Sequence, residues 1–245
     1  MNGVFVVLGM MAGACVGSFT ATASLRAIRG EQSTRGRSRC DGCGTALTYA
    51  QTLPLISYAQ LRGACPNCGS RIDPLHLLGE CAGAVLVALA ILLLQPVQAC
   101  LVIVMGFVLM ASSIIDGRTR RLPDRLTLVV AASGLLLAML KGVDQLLVGA
   151  VAAIVTALVL LAVRALARRG PAPALGLGDV KLFSALAIWL GAWTPWMVAV
   201  AAMLGLTWML VRSPPDRRIA FGPMIAIAAM GLGLAQEAGL FSDLS

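Results

Sequence analysis

Residues 175–190 read LGLGDVKLFSALAIWL. Two glycines, Gly176 and Gly178, precede a carboxylate, Asp179, and an almost unbroken apolar run follows. The rest of the chain says what kind of run this is. Of 245 residues, 59% are hydrophobic and 12% are charged, against roughly 25% charged in soluble domains. A membrane span needs about 20 apolar residues. Apolar blocks lie at 3–25, 76–94, 97–115, 126–140, 144–163, 180–192, 195–211 and 219–238. The expectation is an all-α polytopic membrane protein with about eight transmembrane helices. Some blocks are short, and a span interrupted by Gly or Pro is tolerated where it lines a cavity. Asp179 stands at the mouth of the sixth.

Charge placement sets the expected topology. The formal net charge is +8. Basic residues cluster at 26–39, at Arg62 and Arg71, at 118–125, at 164–169 and at 212–218. With the N-terminus outside, every cluster falls in a cytoplasmic loop, and of the 19 Lys and Arg only Lys141 lies clearly on the other side. That is the positive-inside pattern, and it explains the basic balance without nucleic acid as a partner. The N-terminal stretch MNGVFVVLGMMAGACVGSF has no Lys or Arg before Arg26, so it reads as a retained first helix rather than a cleaved signal. Three segments are expected: 1–25, a first transmembrane helix; 26–75, a cytoplasmic loop; and 76–245, a transmembrane bundle.

The loop carries CDGCG at 40–44 and CPNCG at 65–69. In a Cys-x-x-Cys-Gly knuckle, two thiolates reach one ion and the glycine turns the chain away behind them. Two knuckles supply four sulfurs in a tetrahedron, which suits a closed structural zinc site of Cys40, Cys43, Cys65 and Cys68. The loop is therefore expected to be small and zinc-ribbon-like. The alternative, a pair of redox dithiols, fits poorly with a cytoplasmic loop. Cys15, Cys81 and Cys100 stand singly in apolar helices and read as small core residues. His76, the only histidine, is expected to have no catalytic or metal role. The glycines at 9, 13 and 17 have helical spacing and read as helix packing.

Most of the 11 acidic residues lie in polar loops. Asp116, after VLMASSII, and Asp179 instead stand at cytoplasmic ends of spans, where charge is costly and usually functional. Two neighbouring carboxyls share a proton and their pKa values split. One then activates water as a base, and the other protonates a leaving amine. Gly176 and Gly178 leave the backbone beside Asp179 bare for an extended peptide, and positive φ is open to them. The bland readings are that Asp116 pairs with Arg118 or Arg120, and that Asp179 caps its helix. Asp124 reads as a helix-start acid. Glu80, one turn beyond His76, reads equally as a functional buried acid or as a salt-bridge partner at the helix mouth.

In this order, these features resemble the type IV prepilin peptidase family. The resemblance rests on GSF at 17–19, the paired Cys-x-x-Cys loop, LRGAC at 61–65, Glu80, IDGRTRRLPD at 115–124, GLGD at 176–179 and FGP at 221–223. It covers nearly the whole chain. The Gly-x-Gly-Asp element by itself is shared with other intramembrane aspartyl proteases such as presenilins. The resemblance implies that Asp116 and Asp179 are catalytic aspartates of an endopeptidase in the bacterial cytoplasmic (inner) membrane. The enzyme would remove a short basic leader from type IV prepilins or type II secretion pseudopilins on the cytoplasmic side. Members with the cysteine loop usually also methylate the new N-terminus with S-adenosylmethionine. Two positions depart from the family pattern: Ala64 stands where a Lys commonly precedes the third cysteine, and TATASLRAIRG follows GSF. No soluble Rossmann-like glycine loop marks a methyl-donor site. Partners implied are the prepilin or pseudopilin substrate and membrane lipid.

Two other functions compete with this one. A transporter would use the aspartates as a proton relay, but it predicts acids across the whole membrane rather than at one side. A scaffold presenting the zinc loop predicts that both aspartates tolerate Asn.

Overall fold

The computed structural model describes residues 3–33, 36–167, 175–212 and 219–240. Five arginines of the basic clusters (Arg35, Arg168, Arg169, Arg217 and Arg218) lie outside the described residues. Among the described residues the chain is helical without strands. Its elements are α1 (Gly3–Ile28), α2 (Ile56–Gln60), α3 (Pro74–Leu93), α4 (Pro96–Thr119), α5 (Asp124–Lys141), α6 (Val143–Leu166), α7 (Leu177–Leu190), α8 (Thr194–Arg212) and α9 (Gly222–Glu237). Each of the eight apolar blocks coincides with one helix, α2 being the short addition inside the loop. The segments Gly3–Ile28, Pro74–Leu93, Pro96–Thr119, Val143–Leu166 and Leu177–Arg212 are long and apolar enough to cross a membrane.

Contacts divide the chain into two compact units, Met1–Leu92 and Leu93–Ser245. In the first, the second long helix packs with the first. A Cβ on Gly13 would lie 2.3 Å from the Gly83 carbonyl oxygen, and one on Gly17 2.1 Å from that of Gly79. The glycine stripe of α1 is thus a close backbone contact with α3, the small-residue packing that serves where lipid removes the hydrophobic drive. The single cysteines differ from expectation. Cys15, Cys81 and Cys100 are exposed, on helix faces turned away from the packed interior. An apolar residue gains as much from lipid as from a core, so apolarity did not mark them as buried.

In the second unit α7 is central. It touches α5, α6, α8 and α9, and eight of its 14 residues are buried. At 1.5 Å per residue it is about 21 Å long, short of a hydrocarbon core about 30 Å thick. It starts behind Gly176 and stops at Gly191, whose φ of 54° takes the left-handed region. A short 3₁₀ turn, Gly191–Trp193, then leads into α8. By contrast α6 buries only Gly149, Thr156 and Leu160. The helices α5 and α9 each touch both α4 and α7, so they flank the space between those two.

Candidate functional site

Asp116 lies one turn before the end of α4, which closes at Arg120 in the left-handed conformation (φ 55°), the Arg120 N–H donating to the Asp116 carbonyl. The Asp116 side chain is 5% exposed. Its Oδ2 accepts a 2.8 Å hydrogen bond from the Gly222 backbone N–H, 106 residues later in the chain. That donor stands at the start of α9, where the first helical N–H groups have no partner within the helix and the helix dipole favours an anion. A Cβ at Gly222 would come within 2.9 Å of Oδ2 and 3.1 Å of the Asp116 Cβ. The glycine of FGP therefore gives both the donor and the room for the carboxyl.

Asp179 is the third residue of α7 and half-buried, while Gly176 occupies the cap position. Asp179 and Asp116 lie close enough to interact electrostatically. Three contacts bring them together. Gly178 packs on Leu122 in the turn after α4, with only 3.0 Å from its notional Cβ to the Leu122 Cβ. Lys181 Nζ donates to both carboxylate oxygens of Asp124, at 2.8 and 2.9 Å. Phe183 meets Phe221 with ring centroids 6.0 Å apart. The helix-start reading of Asp124 holds, since α5 opens on it. The two glycines act through size rather than conformation. Gly176 has φ −67°, and neither it nor Gly178 is among the positive-φ residues. A Cβ on Gly176 would lie 2.9 Å from Asp179 Oδ2.

In the first unit, the ligand sulfurs of Cys40, Cys43, Cys65 and Cys68 lie within 4.8 Å of one another. The two knuckles are built alike. The Gly44 N–H donates to the Cys40 carbonyl and the Gly69 N–H to the Cys65 carbonyl, both at 2.9 Å. Gly44 and Gly69 have φ of 70° and 71°, the left-handed turn that glycine permits at low cost. Tetrahedral zinc with Zn–S bonds of about 2.3 Å sets sulfurs about 3.8 Å apart. The Cys40–Cys68 separation is 3.7 Å, so the donor set fits zinc. A Ser70 hydroxyl on the sulfur, helped by the neighbouring backbone of Cys43 and Gly42, holds the Cys40 thiol down to about 6.

Beside the knuckles is a cleft of about 150 Å³. It is lined by Arg26, Arg29 and Arg71 together with Asp41, Asp73 and Glu80. Glu80 is buried in this cleft, 6% exposed. It accepts from Ser18 Oγ at 2.8 Å and from the Leu55 N–H at 2.7 Å. Leu55 has φ 64°, a costly conformation for a leucine, and the Glu80 carboxylate secures it. Sequence reasoning missed this clasp, and it missed the Gly222 donor and the Lys181–Asp124 pair as well. Each joins a side chain to a group far along the chain, and no local pattern announces such a partner.

Comparison with known proteins matches both units. A model of the bacterial peptidase A24 N-terminal domain matches residues 11–94, and a model of the type IV leader peptidase family matches residues 102–210. A prepilin leader peptidase/N-methyltransferase of Dickeya chrysanthemi is 37% identical over 210 residues, covering 80% of this chain and 73% of the relative. The chain belongs to the type IV leader peptidase family. A protein of the same name from Dichelobacter nodosus is 34% identical over 199 residues, 78% of this chain and 68% of its own. The type 4 prepilin-like proteins leader peptide-processing enzyme of Escherichia coli O78:H11 is 29% identical over 204 residues, 79% of this chain and 74% of its own. No solved structure matches the chain significantly. Family and apolar helices together make this leader peptidase homologue an integral inner-membrane protein. The four knuckle cysteines fall in the stretch matched by the N-terminal model, and Asp116 and Asp179 in the stretch matched by the leader peptidase model.

Proposed function

We propose that this chain is an intramembrane aspartyl endopeptidase that removes the leader from prepilins or pseudopilins, with Asp116 and Asp179 as its catalytic pair. The observation that carries the reading is the convergence of two carboxyls at one end of the second unit, one of them oriented by the Gly222 N–H. Adjacent carboxyls share a proton. The ionised member takes a proton from water as it attacks the scissile carbonyl, and the protonated member gives its proton to the leaving amine. The pair titrates as a unit. The arginine placement supports an outside N-terminus and cytoplasmic cleavage.

The cysteine knuckles hold a structural zinc through Cys40, Cys43, Cys65 and Cys68, which ties the two halves of the loop together. The relatives' names support N-methylation as a second activity. The donor, S-adenosylmethionine, supplies a methyl group when bound. The cleft of the first unit matches it in charge. Among the residues lining the cleft, Arg26 and Arg71 would hold the carboxylate of the donor, and Asp73, beside the buried Glu80, its cationic groups.

The test is cleavage of a prepilin in liposomes, followed by product mass. Wild type removes a leader-sized mass, and Asp116→Asn and Asp179→Asn remove none while remaining folded, because Asn keeps the shape but cannot carry the proton. Near-normal cleavage by either variant refutes the pair. A gain of about 14 Da on the product, dependent on added S-adenosylmethionine, reports the methyl transfer.

A further inference from the structure

At the end of the second unit opposite the aspartates, three helices that all start at the aspartate end finish together around one buried polar cluster. Glu237, the last residue of α9, has a side chain only 1% exposed and pairs with Lys141 Nζ, the last residue of α5, at 2.6 Å. The same carboxylate oxygen accepts a 2.8 Å hydrogen bond from Trp189 Nε1, next to the end of α7. Trp189 is 2% exposed. Its ring lies on the backbone of α9: a Cβ on Gly233 would stand 1.9 Å from Trp189 Cη2. On the other side its Cβ lies 3.3 Å from where Gly134 of α5 would carry one. The indole lies on Gly233, the Cβ and backbone of Trp189 lie on Gly134, and one carboxylate pins the ring N–H.

This cluster and the aspartate pair share a strut. At its start α9 supplies the N–H that holds Asp116, and at its end it supplies the carboxylate that holds α7. Asp179 and Trp189 are ten residues apart on a helix without internal proline, a rise of about 15 Å. Sliding or rotation of α7 at Trp189 is therefore delivered to Asp179. We propose that Trp189 and Glu237, with Lys141 balancing the charge, are positioning residues that set the register of Asp179 against Asp116. This rests on the reading of the two aspartates as the peptidase pair. A displacement of about 1 Å at reacting groups costs on the order of 100-fold in rate, so a device far from the chemistry has leverage on it.

The test compares two double variants in the full-length protein in liposomes, with a prepilin substrate. Lys141→Met with Glu237→Gln removes both charges and keeps an acceptor for Trp189. Lys141→Met with Glu237→Leu removes both charges and the acceptor. The first is expected to keep kcat within about threefold of wild type. The second is expected to lose at least tenfold in kcat at unchanged KM, about 1.4 kcal/mol of barrier. Trp189→Phe keeps most of the ring and loses the N–H, and it serves if the leucine variant is not recovered folded, with the same tenfold loss expected. Equal kcat in the two double variants overturns the proposal, as does a loss expressed in KM alone. Asp179→Asn runs alongside: if it still cleaves, the catalytic reading has failed, whereas an inactive Asp179→Asn with an unaffected leucine variant removes only the register device.

Discussion

Replacing Gly222 with Ala tests the aspartate geometry without touching an aspartate. The new methyl carbon would stand 2.9 Å from Asp116 Oδ2, 3.1 Å from its Cβ and 3.3 Å from its Cγ. All three neighbours belong to one side chain, so the strain falls on the carboxyl, and Asp116 is only 5% exposed and has little room to retreat. The Gly222 N–H bond, 2.8 Å long, must lengthen or break. A hydrogen bond to a charged group contributes about 1.5–3 kcal/mol. If that much is lost from the oriented carboxyl, cleavage slows by about 10- to 150-fold. The assay is single-turnover cleavage of a prepilin in liposomes at saturating enzyme, with thermal unfolding in detergent as the control on folding. Cleavage within twofold of wild type by a folded Gly222→Ala protein would show that the Gly222 donor does not orient Asp116 for the proposed reaction.

Two further outcomes concern the first unit. Cys65→Ser removes one of four thiolates from a site whose closure is folding free energy; bound zinc, measured by elemental analysis of purified protein, should fall from about one per chain to less than half, and unchanged zinc would show that the four sulfurs are not the ligands. Glu80→Ala strips the acceptor from Ser18 and from the strained Leu55, a loss of about 2–4 kcal/mol, which should lower Tm and speed protease cutting around residues 49–61. An unchanged Tm would mean that the loop is held by other contacts.

The sequence by itself determined the class of molecule and the cysteine knuckles. Hydropathy is a property of each segment alone, so the eight apolar blocks mapped directly onto helices. The knuckles are equally local, because each pair of sulfurs and its turning glycine lie within five residues. The two aspartates stood out because a carboxylate beside an apolar run is conspicuous without any knowledge of its neighbours. Tertiary structure alone decided what those groups meet. Asp116 finds a donor at Gly222, Glu80 finds Ser18 and Leu55, and Lys141 finds Glu237. Cys15, Cys81 and Cys100 turn outward, although their sequence surroundings look like core. The physical reason is common to all of these. A water-soluble helix advertises its buried face by polarity, but a helix in lipid is apolar on every side. Its rotation about its own axis, and therefore every partner of every polar group it carries, is settled only when the helices pack.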